Sequence, residues 1–163
     1  MKNQNGFATL EIILVTAIIS LLAFVGVPKL AKIFDVVMLD YEVKRFCSEL
    51  EFARSASRTA SYGTGIFQYT IKDDLGKNVD VQIYYEKNSY RVMQDVENLR
   101  EPYKLGGGIN LVGKSNSPEK ILFSKNYTYS SGSGTVYFSS RLGNSAEVRF
   151  DSVGRWRGYR DVK

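Results

Sequence analysis

From Ile12 to Val27 the chain runs for sixteen residues, IILVTAIISLLAFVGV, without a charge. The rest of the 163 residues alternate apolar and polar side chains, so this end reads as a membrane segment. Sixteen residues rise through roughly 24 Å of helix, short of a hydrocarbon core of about 30 Å. Counted from Phe7 the stretch has twenty-one residues and rises roughly 31 Å, enough to span, but it then includes Glu11. A charge in the middle of a bilayer helix costs roughly 2.5 to 3.5 kcal/mol, and such residues are rarely accidental.

The composition excludes whole classes of chemistry. There is no histidine, and Cys47 is the single cysteine, so Ser/His/Asp and Cys/His nucleophile systems, His/Cys zinc sites and a disulfide within the chain are all absent. No constellation of acid, base and nucleophile is visible, and the expectation is a protein that is not an enzyme and uses no cofactor or metal. With 44% hydrophobic and 24% charged residues, the chain has the composition of one ordinary globular domain. The surplus of +5, from 22 Lys and Arg against 17 Asp and Glu, is modest, and its meaning depends on where it sits.

Ahead of the apolar run lies a hydrophilic leader, Met1 to Asn5 with Lys2, ending at Gly6. The order of parts differs from a cleaved secretory signal, since no A-x-A site follows the run. The run instead begins directly behind Gly6 as Phe7-Ala8-Thr9-Leu10-Glu11. These residues resemble the type IV prepilin class: a short basic leader, Gly at the scissile position, Phe next, Glu five residues beyond the Gly, and Pro28 at the twenty-second position of the mature chain. The resemblance implies that a membrane prepilin peptidase cuts between Gly6 and Phe7 and N-methylates Phe7. It also implies as partners other major and minor pilins, an inner-membrane assembly platform, and the membrane itself before assembly. The segment would cross the cytoplasmic membrane once, with the C-terminal domain outside the cytoplasm.

In the cleaved chain Glu11 lies within the first two turns, where the helix dipole favours an anion. The nearest cation in an apolar filament core is a neighbour's new amino terminus, and the resemblance makes that pair the device that selects incoming subunits. The plain alternative is a Glu sitting near the headgroups of a simple anchor.

Past Pro28 the helical spacing continues through Leu39, Val43, Phe46, Leu50, Ala53, Ser57 and Ala60, three or four residues apart. Asp40, Lys44, Arg45, Glu49, Glu51, Arg54 and Arg58 mark the opposite, outward face, and Gly63 is the stop. A continuous helix over residues 7 to 62 would be about 84 Å long, with a bend or local unwinding expected at Gly26 and Pro28. Cys47, beside Phe46, reads as a buried and inert thiol.

From Gly65 the period changes to two. Val79, Val81, Ile83 and Tyr85 face a core, Lys87-Asn88-Ser89 turns, and Tyr90 to Met93 returns as a hairpin. Further strands are expected at 66–71, 109–112, 120–123, 135–139 and 146–150, with Gly-, Asn- and Ser-rich links between them. The fold class is therefore α+β: a long N-terminal helix, membrane-spanning in its first half and amphipathic in its second, packed on a C-terminal antiparallel β-domain. The divisions are a cleaved leader 1–6, a membrane or filament-core helix 7–28, an amphipathic helix 29–62, and a β-domain 63–163 whose basic tail is 152–163.

The segment Glu49-Leu50-Glu51-Phe52-Ala53-Arg54-Ser55-Ala56-Ser57-Arg58, the strands Thr135 to Phe138 and Glu147 to Asp151, and Gly154-Arg155 together resemble the GspH/FimT group of minor pilins and pseudopilins. Gly154-Arg155-Trp156-Arg157 matches the G-R-x-R pattern of those members that bind DNA in natural transformation. Read without the resemblance, the tail holds Arg155, Arg157, Arg160 and Lys163 against Asp161, more than half of the chain's surplus. If the strand continues, Arg155 and Arg157 leave one face about 6.6 to 6.8 Å apart with Trp156 opposite. Arginine forks suit phosphate oxygens, and Trp156 and Tyr159 would stack on bases or brace the arginines. Double-stranded DNA, neighbouring subunits and plain solubility of an exposed terminal strand are the three readings of this patch.

Weaker motifs read as structure. Asp73, Asp74, Gly76 and Asn78 lack the spacing of an EF-hand and form a polar turn. Gly106 to Gly108 lack a following Lys-Ser/Thr and read as a flexible connection. Asn126-Tyr127-Thr128 is a glycosylation triplet by pattern alone, and strand propensity accounts for most of the eleven tyrosines. Two functions follow: a minor pilin that contacts DNA for uptake through its tail, or a structural minor pseudopilin that primes or tips a type II secretion pseudopilus without binding DNA.

Overall fold

The computed structural model describes residues 5–60, 71–72, 78–79, 81–94, 97–112, 120–123, 134–151 and 155–161. It divides into two units, Met1–Phe34 and Asp35–Lys163.

A single helix, α1, runs Asn5–Ala60 and is long and apolar enough to cross a membrane. In the first unit its apolar side chains are not covered by protein: Leu10, Ile13, Leu22 and Phe24 are all exposed. The polar residues inside the run satisfy themselves. Thr16 Oγ1 donates to the Ile12 carbonyl at 2.9 Å and Ser20 Oγ to the Thr16 carbonyl at 2.7 Å, as a lipid environment demands. The helix continues through Gly26 and Pro28, so the local unwinding expected there is not seen. Proline removes one backbone donor, and the turns on either side keep the ladder.

In the second unit the buried stripe of α1 is the expected one: Leu39, Val43, Phe46, Leu50, Ala53 and Ser57 are all buried. It packs on two antiparallel sheets. The first contains β3 (Val81–Glu86), β4 (Ser89–Gln94), β5 (Glu97–Asn98), β6 (Tyr103–Lys104) and β8 (Lys120–Phe123), in the order β5-β4-β3-β8 with β6 also pairing β4. The second contains β7 (Asn110–Val112), β9 (Gly134–Ser139), β10 (Ser145–Phe150) and β11 (Trp156–Asp161), in the order β11-β10-β9-β7. A separate short pair, β1 (Ile71–Lys72) and β2 (Asn78–Val79), is also antiparallel.

Alternation decides which face of each strand is dry. Val81, Ile83 and Tyr85 on β3 and Val136 and Phe138 on β9 point inward, as period two requires. Phe46 joins the sheets, meeting Tyr90 of β4 edge-on at 5.3 Å and Phe138 of β9 at 5.4 Å. Two backbone bonds tie β7 and its approach to the β3–β4 turn: Leu105 N donates to Asn88 O at 2.9 Å and Leu111 N to Lys87 O at 2.6 Å.

The outward face of α1 differs from its expected composition. Lys44 and Glu51 are exposed, but Glu49 is buried, and so are Asp35 and Glu42. The segments between strands wrap that flank and donate hydrogen bonds to one carboxylate oxygen of each acid. The glycines 106–108 belong to one such loop, and they form a docked turn instead of a flexible connection. Gly106 N donates to Glu42 Oε1 at 2.9 Å, Ile109 N to Gly106 O at 3.1 Å, and Gly107 and Gly108 take φ of 62° and 73°.

Candidate functional site

Gly6 and Phe7 lie in the opening of α1, and Glu11 follows in the same helix, exposed, as the one acid of the apolar stretch. Were the chain cut after Gly6, Glu11 would be the fifth residue of the helix that remains.

The tail is built as a second, edge-forming hairpin. β10 pairs β11 with Phe150 opposite Trp156, Arg149 opposite Arg157, Val148 opposite Gly158, Glu147 opposite Tyr159 and Ala146 opposite Arg160. Ala146, Val148 and Phe150 are buried, so Glu147 and Arg149 stand on the outer face. Arg157 shares that face by register. Trp156 and Gly158 turn the other way, towards α1. They line a groove of about 410 Å³ together with Val43, Lys44, Cys47 and Glu51. Trp156 is 36% exposed there, and a Cβ on Gly158 would sit 3.7 Å from Val43 Cγ1. Burial, and secondarily the charge of Glu51, pushes the Cys47 thiol up to about 12, which keeps it protonated and inert.

Arg155 stands just ahead of β11 and closes the β10–β11 loop. Its backbone N–H donates to Asp151 Oδ1 at 2.9 Å, its Nε meets Asp151 Oδ2 at 2.8 Å, and Asp151 N donates to Arg155 O at 2.9 Å. Arg149 Nη2 meets Glu147 Oε1 at 2.6 Å. The outer face therefore holds three guanidiniums, two of them facing carboxylates of the same chain. Of these three, Arg157 is the one with no carboxylate partner among the described residues. The side chain of Arg160, that of Tyr159, and all of Lys163 lie outside the described residues, as do Asp73, Asp74 and Asn126 to Thr128.

A polar cluster on the other flank of α1 carried no motif in the sequence. Glu42 Oε1 accepts from Tyr103 OH at 3.0 Å as well as from Gly106 N. Arg45 lies 3.6 Å over the Tyr103 ring, and Arg100, paired with Glu49 at 2.9 Å, lies 3.8 Å over Phe52. Burial, then the charge of Glu49, raises the Tyr90 hydroxyl above its ordinary range. Asp35 does a similar job at the next loop: it accepts from Ser140 Oγ, and from Asn144 Nδ2 at 2.8 Å. The only advance signal was spacing, since Asp35, Glu42 and Glu49 recur every seven residues along one flank. Each acid accepts from donors of its own chain, so the cluster clamps loops to the helix, while Glu42 Oε2 and Glu49 Oε2 are buried without a hydrogen-bond partner.

No protein-family model, curated protein or solved structure matches this chain.

Proposed function

We propose that the chain is a type IV pilin-like subunit of the GspH/FimT kind, a minor pilin that assembles into or caps an envelope-spanning filament and contacts double-stranded DNA through its C-terminal hairpin. The observation that carries the reading is the exposed apolar stretch of α1 with Glu11 as its one acid, directly behind Gly6-Phe7, and continuing into a helix half that is packed on antiparallel sheets. A helix uncovered by its own chain needs lipid or other helices. An acid placed there needs a cation, and a neighbour's amino terminus is one. Prepilin peptidase, other pilins and an inner-membrane platform are the partners this reading requires.

Mass spectrometry of the chain recovered from a host that carries its own prepilin peptidase tests the assembly half. The expected product begins at Phe7 and carries one extra methyl group. Glu11→Ala should be processed in the same way and fail to enter filaments. An intact leader on the recovered chain would overturn the reading. The DNA half is tested by gel shift of duplex DNA with the full chain in non-ionic detergent, where Arg155→Gln, Arg157→Gln and Arg160→Gln together should abolish retardation. The Asp151–Arg155 pair favours a second reading. An arginine closing a loop need not meet DNA, and a structural pseudopilin of type II secretion would leave the duplex unretarded even at low salt.

A further inference from the structure

The register of β10 against β11 places Arg149 directly opposite Arg157 on the outer face. Side chains so paired have Cβ atoms about 4.5 to 5.5 Å apart, and like charges there are destabilising. Both guanidiniums are presented by a β-sheet strand pair, Arg149 being 61% exposed. Arg155 follows at the open end of the same hairpin, 76% exposed.

We propose that the outer face of β10 and β11 is a backbone-phosphate site for duplex DNA, with Arg149 as a contact residue beside Arg157 and Arg155, and with Glu147 and Asp151 as built-in competitors that occupy the arginines until a phosphate displaces them. The proposal rests on the DNA-contact reading above and specifies its surface. A carboxylate offers a guanidinium the same two-oxygen fork as a phosphate, so Glu147 on Arg149 and Asp151 on Arg155 are the interactions that a phosphate would replace. The arginine side of each pair is open to water, Arg149 being 61% and Arg155 76% exposed against 20% for Glu147 and 36% for Asp151, and ion pairs solvated in this way are weak enough for a polyanion to displace. The ligand is the duplex backbone: Trp156 lies on the groove side with Val43 and Lys44, away from the arginine face, and Tyr159, opposite Glu147, is the one aromatic position of β11 that shares that face by register. Phosphate contacts without stacking on that indole give grip without sequence reading.

Fluorescence anisotropy of a labelled mixed-sequence duplex, titrated with the full chain in non-ionic detergent over a range of salt, tests this. Arg149→Gln should weaken binding several-fold and lower the log–log salt slope by about one, and Arg149→Lys should keep the slope. Glu147→Gln with Asp151→Asn should tighten binding by about three- to tenfold, since each substitution removes a competing anion while Asn can still accept the Arg155 backbone N–H. Thermal unfolding of Arg149→Gln should stay close to the wild type, because relief of the Arg149–Arg157 opposition offsets loss of the exposed pair with Glu147, so weaker binding at an unchanged Tm would not reflect a lost fold. If the wild type binds and Arg149→Gln binds equally well with the same slope, the surface is wrong and the DNA-contact reading stands. If the wild type does not bind, both fail.

Discussion

Asp35, Glu42 and Glu49 hold three strand-connecting segments to one helix flank, and the cost of removing each follows from what it would leave unpaired. Glu42 is fully buried and accepts from the Tyr103 hydroxyl and the Gly106 backbone N–H. Glu42→Ala strands both donors, and the expected loss is about 2 to 4 kcal/mol in urea unfolding, given that hydrogen bonds to a charged group are worth about 1.5 to 3 kcal/mol each. Glu42→Gln keeps an acceptor oxygen and should lose less than half as much; an equal loss would mean that charge, not acceptance, is what the site needs. Cys47 makes a separate test. Its folded pKa of about 12 lies above the ordinary 9.0, because burial penalises the thiolate. The neutral thiol's contribution is therefore complete below about pH 9 and is lost as pH rises towards 12. At pH 8 the folded protein should carry roughly a thousandfold less thiolate than a free thiol, so iodoacetamide should label it only after denaturation. Rapid labelling of the native protein would show that the groove beside Cys47 is more open to solvent and charge than its burial implies.

At the scale of elements, the two hairpin loops flanking β10 use one device. In residues 140–144 the Ser140 hydroxyl accepts from Asn144 N at 3.1 Å and Ser140 N donates to Asn144 O at 2.8 Å, and Asp151 and Arg155 repeat that pattern. The start of β9 is set by a close approach. A Cβ on Gly134 would lie 2.4 Å from Phe150 Cε2, so the ring, itself buried, would have to move. Gly134→Ala should cost about 1 to 3 kcal/mol, the usual range for overpacking, and calorimetry should show it as a lowered Tm. An unchanged Tm would mean that Phe150 has room to turn away. The elements legible in advance were those with their own period: the α1 stripe from Leu39 to Ser57, the β3–β4 hairpin with Val81, Ile83 and Tyr85 inward, and the strands expected at 109–112, 120–123, 135–139 and 146–150, which are β7 to β10 to within one residue. The two-residue strands Glu97–Asn98 and Tyr103–Lys104 were not, because pairing with β4 makes them and their own residues carry no alternation. For the same reason the sequence alone does not mark Arg149 as a site residue. In the sequence it is one charge in an alternating strand, and only the register against Arg157 gives it a role.

On the scale of the whole molecule, the division after Phe34 separates two ways of satisfying apolar surface. Every residue of the hydrophobic core lies between Leu39 and Phe150, whereas Leu10 to Phe34 contribute no buried hydrophobic side chain among the described residues. The second unit has a hydrophobic core of its own, and the exposed apolar surface of the first is left for lipid or neighbouring helices. The boundary also has a chemical marker: Asp35, the opening residue of the second unit, clamps the β9–β10 loop through Ser140 and Asn144. A fragment starting at Lys32, which keeps a turn of helix ahead of Asp35, should fold without detergent and unfold in one cooperative step. A fragment starting at Val36 retains every core residue, and Met38 packed against them, but loses Asp35, and it should be less stable by about 1 to 3 kcal/mol, the cost of leaving buried polar groups without their partner. Paired urea melts of the two decide the point. Equal midpoints would show that the buried carboxylate is tolerated instead of needed, and failure of the Lys32 fragment to fold would show that the apolar half of α1 supports the β-domain in a way its exposed surface does not reveal.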